Sequence, residues 1–366
     1  MGHSQRLQKI QAILKRRKID AFLVSEPRNR FLLSGYLGQD HGIEESAGHL
    51  LIPKKGSPQL LTDFRFKIQA QQECRGCEVQ LYSKGLIPLL KQLLPRSGAA
   101  SLAFESHYTL HSTAIAYEKL ASELNLSLVP LTGVVEKQRL TKSDEEIDSL
   151  KASVRLNEKV FQAVLPTIQP GETELAIALR IETTMREMGA QQPSFDTIVA
   201  TGKNSALPHA VPSDTVIEAN RPLMIDMGLV LDGYCSDMTR TFVPGEADDD
   251  YLKIHRLVRK AQLAAMEAIR PGISAASVDK VARRIISDAG YGEYFGHALG
   301  HGVGLAVHEG PSLSSRNRKY LREGMVVTVE PGIYLPDWGG VRLENMVLVT
   351  RDGSLNLNHD TSFLDL

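Results

Sequence analysis

Cysteine is scarce, with three residues in 366. That excludes the disulfide framework that staples small secreted domains, and it suits a reducing compartment. Cys74 and Cys77 do form a C-x-x-C, but a zinc ribbon needs a second pair, and Cys235 is alone and distant. A redox motif would want a helix directly after its first cysteine, whereas Glu78-Val79-Gln80-Leu81-Tyr82 reads as strand, so the pair is assigned no function. Long apolar runs are missing too, and nothing approaches the roughly 20 residues of a membrane span. Met1 to Gln11 is polar and lacks an apolar signal core, so a cytoplasmic protein is expected. Neither sign of charge is in excess: 42 Lys and Arg face 43 Asp and Glu, for a net charge of −1. No global field draws such a chain to nucleic acid or to an acidic membrane. The local basic run Lys15-Arg16-Arg17-Lys18 reads as a solvated helix end.

What is present is the composition of a soluble globular protein, 42% hydrophobic and 23% charged. The chain is longer than one core usually serves, which predicts two domains. The first part alternates helix and strand. Leu7, Ile10 and Leu14 share a helical face, and Ala21–Val24 reads as a short buried strand. Strands are predicted around Leu50–Ile52, Gln59–Leu61 and Ser101–Phe104, and helices over Ile87–Leu94 and Ser112–Leu124. This makes a small α/β domain over residues 1–133. Ser143 and Glu146 then form a capping box opening a helix with Ile147, Leu150, Val154 and Val160-Phe161 as its apolar stripe. The second domain, residues 134–366, looks duplicated. Ile168-Gln169-Pro170-Gly171 and Ile269-Arg270-Pro271-Gly272 each precede an amphipathic helix, ending near Gly189 and Gly290. His209 and His308 hold similar places in the two halves, as do Asp226 and Glu330, which predicts one site at a pseudo-twofold axis.

The chemistry gathers in that domain. Asp232-Gly233 lies between two β-prone runs and predicts a two-residue hairpin turn. Pairing Leu231 with Tyr234 and counting back places Asp226 opposite Thr239 and Gly228 opposite Asp237. Side chains alternate with period two, so Asp226 and Asp237 become diagonal neighbours on one face. Two carboxylates so close repel unless a cation lies between them; otherwise the face is exposed and merely polar. Downstream, His297, His301 and His308 fall within twelve residues, interleaved with glycines that permit close backbone approach. Glu330 ends an apolar strand and Glu344 sits inside another apolar run, and buried acids need partners. The four acids carry four negative charges, which two divalent cations balance, with neutral His301 as a further ligand. Hard oxygens with one imidazole suit manganese, with cobalt, zinc or iron as alternatives.

At these residues the chain resembles the pita-bread metallopeptidases of family M24: aminopeptidase P, prolidase and methionine aminopeptidase. The matching motifs are IDMG at 225–228, SDMTRTF at 236–242, HALGHGVGLAVHEGP at 297–311, TVEPGIY at 328–334 and VRLEN at 341–345. The segment VVEKQRLTKSDEEI at 134–147 is similar to that family's interdomain join, and the first domain is similar to the creatinase/prolidase N-terminal domain. The resemblance implies an α+β protein: a C-terminal, pseudo-twofold pita-bread (creatinase/aminopeptidase-like) catalytic domain, preceded by the smaller α/β domain. It implies Asp226, Asp237, His301, Glu330 and Glu344 as ligands of two divalent metal ions. It implies a metal-bridging hydroxide as nucleophile and Glu330 as proton acceptor. By position, His209 matches a histidine at the site's mouth, His308 one that steadies the tetrahedral intermediate, and His297 one that lines the substrate site. Tyr334 and Arg342 match residues near the substrate pocket and behind the metal pair.

The extra N-terminal domain favours the proline-specific branch, whose substrates are peptides with proline at the second position. Some prolidases place an arginine straight after H-E-x-P; here Ser312 stands there, with Arg316 and Arg318 later. That leans the expectation to an Xaa-Pro aminopeptidase, with an Xaa-Pro dipeptidase as the alternative and a metal-free binding protein as a remote one. Relatives are often dimers, so a homodimer is expected.

Overall fold

The computed structural model describes residues 2–366, which fall into two compact units, residues 2–139 and 140–366. The first unit is a six-stranded sheet with helices around it. Its strands are β1 (Ala21–Val24), β2 (His49–Pro53), β3 (Gln59–Thr62), β4 (Glu78–Leu81), β5 (Ser101–Glu105) and β6 (Ser127–Leu131). They lie in the order β4-β3-β2-β1-β5-β6, with β1, β5 and β6 mutually parallel and β2 antiparallel to β1. The helices are α1 (His3–Arg17), α2 (Pro27–Ser34), α3 (Lys67–Glu73), α4 (Leu86–Arg96), α5 (His111–Glu123) and the short α6 (Glu136–Arg139). Leu7, Ile10 and Leu14 are buried as their spacing predicts, and the basic run closes the last turn of α1, where cations favour the exposed carbonyls. Leu23, Leu51, Leu61, Leu90, Leu94 and Leu102 form the heart of this core. One expectation fails here: Cys74 and Cys77 are joined as a disulfide. The end of α3 and a turn through Gly76, at φ 69°, bring their Cα atoms to 6.3 Å, a span a bridge can close.

The second unit repeats one plan twice. Its first half has α7 (Asp144–Val164), α8 (Glu174–Glu187) and strands β7 (Gln192–Pro193), β8 (Ile198–Thr201), β9 (Leu223–Met227), β10 (Leu229–Leu231), β11 (Tyr234–Cys235) and β12 (Met238–Phe242). Its second half has α9 (Asp249–Ala268), α10 (Ala275–Asp288) and strands β13 (Gly300–Gly302), β14 (Glu309–Leu313), β15 (Val326–Val329), β16 (Gly332–Leu335), β17 (Gly339–Arg342), β18 (Asn345–Val349) and β19 (Ser354–Asn356). In each half a helix pair covers one face of antiparallel sheet. Val160, Ile177 and Ile181 pack on Ile225 and Met227; Val258, Val278 and Ala282 belong to the core that includes Val327 and Val347. The backbone repeats in detail. Gly171 donates to Ile217 O and Gly272 to Leu321 O, while isolated bridges join Thr173 to Val216 and Ser274 to Tyr320. The capping box at Ser143 and Glu146 is complete and opens α7. Among the described residues no helix is long and apolar enough to cross a membrane.

Candidate metal centre

The hairpin from Leu223 to Phe242 turns where its sequence says it should. Asp232 and Gly233 both have positive φ, at 50° and 82°, and Leu231 pairs with Tyr234. Beyond the turn Asp226 pairs with Thr239, the counted register. Asp226 also pairs with Ile198 on its other side, so it stands on the central strand of β12-β9-β8. Asp237 lies in the break between β11 and β12. From the other half come His301 in the middle of β13, Glu330 directly after β15 and Glu344 directly before β18. Val329 pairs with Asn345, which sets the last two glutamates side by side.

These five residues converge. His301 Nε2 is 3.3 Å from Glu330 Oε1 and 3.6 Å from Asp237 Oδ2. Asp237, His301 and Glu344 offer ligand atoms all within 4.8 Å of one another. His301 Nδ1 lies 3.1 Å from Gly302 O, an oxygen that only accepts. The proton therefore belongs on Nδ1, leaving the Nε2 lone pair turned to the acids, the tautomer a metal requires. Three of the four acids are steadied from behind. Arg342 Nη2 donates to Asp226 Oδ2 at 2.6 Å, Thr239 Oγ1 to Glu344 Oε2 at 2.7 Å, and Thr328 Oγ1 to Glu330 Oε1 at 3.0 Å. Thr239 and Thr328 carry no signal in the sequence beyond their place inside the motifs; only the side chains they touch mark them.

The electrostatics ask for a cation. Burial, and then neighbouring carboxylates, hold Asp237 and Glu344 well above the ordinary carboxylate range. Burial also pushes Glu330 up to about 8. Asp226 Oδ1 is buried with no hydrogen-bond partner. Buried lone pairs without donors are costly unless something positive meets them, so this donor set fits divalent metal. Burial lowers His301 to about 4, so its ring is neutral at pH 7 and free to ligate.

The centre floors a cavity of about 430 Å³. Phe195, Ile198, Ala210 and Val211 supply an apolar wall, and His209, His297, His308 and Ser312 supply polar groups. His209 sits exposed at the rim. His308 packs edge-on against His301, with ring centroids 4.3 Å apart, and partial burial lowers its pKa. His297 is held by a chain: Arg342 Nη1 donates to Tyr334 Oη at 2.9 Å, and Tyr334 O–H donates to His297 Nε2 at 2.9 Å. His297 Nδ1 meets Ala298 O at 2.8 Å, so it carries the ring proton. Tyr334 is thus brought behind His297 and does not itself line the cavity. Arg342 is the one Lys or Arg in the lining, and it is spent on Asp226, Tyr334 and Thr239. Arg316 and Arg318 are exposed elsewhere.

Residues 148–351 match the model of metallopeptidase family M24, and residues 6–141 match that of the creatinase/prolidase N-terminal domain. The chain belongs to family M24. This M24 peptidase is 35% identical, over 97% of both chains, to a protein from Pyrococcus horikoshii named Xaa-Pro dipeptidase. Its fold superposes on the solved structure of an Xaa-Pro dipeptidase from Bacillus anthracis with a TM-score of 0.92, at 36% identity over 98% of each chain. It also superposes on an X-Pro aminopeptidase from Thermotoga maritima with a TM-score of 0.87, at 36% identity over 94% of this chain and 97% of that one. The architecture is therefore that of the pita-bread peptidases in both domains.

Proposed function

We propose that this M24 peptidase is a prolidase that hydrolyses the bond between an N-terminal residue and a following proline in Xaa-Pro dipeptides. The observation that carries this reading is the convergence of Asp226, Asp237, His301, Glu330 and Glu344, with an unpartnered buried Asp226 Oδ1, at the floor of a partly apolar cavity. Full-length similarity to proteins named Xaa-Pro dipeptidase supports this substrate class better than the aminopeptidase towards which the sequence leaned. The five residues would hold two divalent ions, manganese by preference for hard oxygens with one imidazole. When bound, such ions supply Lewis acidity and lower the pKa of water enough for attack at neutral pH.

The remaining roles belong to the chain. Glu330, at the cavity floor with 15% of its side chain exposed, takes the proton of the attacking water and passes it to the proline nitrogen as the C–N bond breaks. His308, kept neutral by partial burial, donates an N–H to the carbonyl oxygen as charge develops there. His297, clamped by Tyr334, orients the substrate backbone, and His209 at the rim faces the proline end. Phe195 and Ile198 cover the apolar parts of the substrate.

A second reading, an Xaa-Pro aminopeptidase, is favoured by one feature. The lining holds no uncommitted Lys or Arg to grip a free proline carboxylate, and Ser312 stands after the H-E-G-P segment. The deciding experiment compares Xaa-Pro with Xaa-Pro-Yaa peptides on the manganese-loaded protein. Tenfold or greater preference in kcat/KM for the dipeptide is expected, by about 1.4 kcal/mol of transition-state discrimination. The reverse preference establishes the aminopeptidase, and failure to cleave either sinks both readings. Glu330→Gln should lower kcat by roughly a hundredfold or more with the fold kept.

A further inference from the structure

The family-like segment at 134–147 contains a lysine that the site described above does not use. Lys142 is buried, and its Nζ lies 2.9 Å from Glu309 Oε1, with side chains only 2% and 8% exposed. Lys142 also donates its backbone N–H to Gly324 O at 2.8 Å, so its own position is held. Glu309 is the residue straight after His308, and it opens β14. Its strand partner is Gly302, the neighbour of His301. His308 stands in the bend just before β14 and lines the cavity, whereas the Glu309 carboxylate is buried against Lys142 and is not part of that lining.

The ground under that carboxylate is the loop leaving His301. A side chain at Gly304 would run into Glu309 Oε1, so the carboxyl group rests directly on this backbone. Gly304 O in turn accepts the N–H of Cys235 at 2.8 Å, two residues before Asp237. Leu140 abuts Gly310 in the same way, close enough that a Cβ there would meet its methyl group. One buried ion pair thus stands behind His308, His301 and the approach to Asp237. The pairing of β13 with β14 already ties the His301 and His308 segments, and the ion pair is fixed at the end of that ladder.

We infer that Lys142 and Glu309 form a positioning pair that sets how deep the His308 ring stands over the metal centre and holds it against His301. The inference rests on the role given to His308 in the proposed function, and it concerns neither metal affinity nor substrate choice. A buried lysine opposite a buried glutamate is poor value for stability alone, since a well-packed apolar pair of similar volume does as well. Its specific benefit is direction: the ammonium allows one placement of the carboxylate, and the peptide bond into β14 carries that placement to His308.

The test uses the full chain with three variants: Lys142→Met, Lys142→Arg and the double variant Lys142→Met/Glu309→Gln, which leaves no lone buried charge and keeps the test open if the first does not fold. Kinetics on the manganese-loaded protein are paired with imidazole ¹H–¹⁵N spectra of the metal-free chain, a readout independent of turnover. Lys142→Met and the double variant should lose at least tenfold in kcat with KM within twofold of wild type. Both should displace the ring signals of His308 and His301 while leaving those of the distant His255 in place. Lys142→Arg should restore most of kcat and the wild-type signals. Unmoved His308 signals, or a fall in kcat matched by the unfolded fraction, would overturn the inference. A wild type that cleaves no Xaa-Pro peptide would instead overturn the proposed function, and the spectra would still decide this one.

Discussion

Tyr334 has one hydroxyl and two partners, and their order matters. Arg342 can only donate to it, so its own proton must go to His297 Nε2. Burial pushes this phenol up to about 12, so it stays a donor throughout the neutral range. Tyr334→Phe should let the His297 ring turn and lower kcat/KM by about tenfold, a loss of roughly 1.4 kcal/mol measurable by steady-state kinetics. Ser312 stands at the cavity where a cation would meet a proline carboxylate, so Ser312→Arg should lower KM for Xaa-Pro and raise it for Xaa-Pro-Yaa. A substitution that leaves the ratio unchanged removes Ser312 from the specificity question. Away from the site, Glu105 accepts N–H donors from Ser25, Glu26 and Asn29, yet burial still pushes it up to about 8 from 4.5. The folded chain therefore holds this proton longer than the unfolded chain does. The stability it adds is complete below its unfolded pKa and is lost as pH rises towards 8. Melting curves should show wild type losing stability between about pH 5 and 8, and Glu105→Gln losing less across the same window.

At the scale of elements, the hairpin was open to counting because an Asp-Gly turn fixes a two-residue loop and hence every pair behind it. The count holds at Leu231–Tyr234 and again at Thr239–Asp226. Between them the hairpin changes sheets at Gly228, a break that alternation alone does not foretell. A Cβ there would overlap Ser236 O and Ser194 Oγ, and backbone cannot step aside cheaply. Gly228→Ala should cost about 1–3 kcal/mol in denaturant unfolding and weaken metal binding as well, because Asp226 and Asp237 flank the break. Helix α2 was not anticipated, since its buried face includes Asn29 and Arg30; Asn29 is paired with the remote Glu105, and Arg30 with Asp40 in the following loop. The adjacency of Glu330 and Glu344 was equally hidden. Proline and glycine interrupt the chain between them, and only the pairing of β15 with β18 closes the gap.

For the whole molecule, folding two similar halves together concentrates four carboxylates in one buried place. Arg342 answers one of those charges and a single divalent ion two more, so a second ion is needed to cover the cluster. Chelation should therefore abolish peptidase activity and lower the melting temperature. Calorimetric titration with manganese should return two equivalents per chain. Ligand at a hundred times its Kd adds about 2.7 kcal/mol, enough for a clear thermal shift. A single equivalent with full activity would contradict the charge balance.

The candidate ligands, the hairpin register, the capping box at Ser143 and Glu146 and the family likeness were all legible in the sequence, because each shows in short stretches of chain. The five metal-site candidates needed only motif order and one turn. What tertiary structure alone decided is long-range: that Tyr334 backs His297, that Thr239 and Thr328 steady the glutamates, and that Lys142 meets Glu309. The disulfide between Cys74 and Cys77 depended likewise on the local path of a turn. Periodicity reports which face a residue takes; it carries no information on what will press against that face from a hundred residues away. The pseudo-twofold packing supplies that information, and with it the electrostatics that make a cluster of acids into a candidate peptidase site.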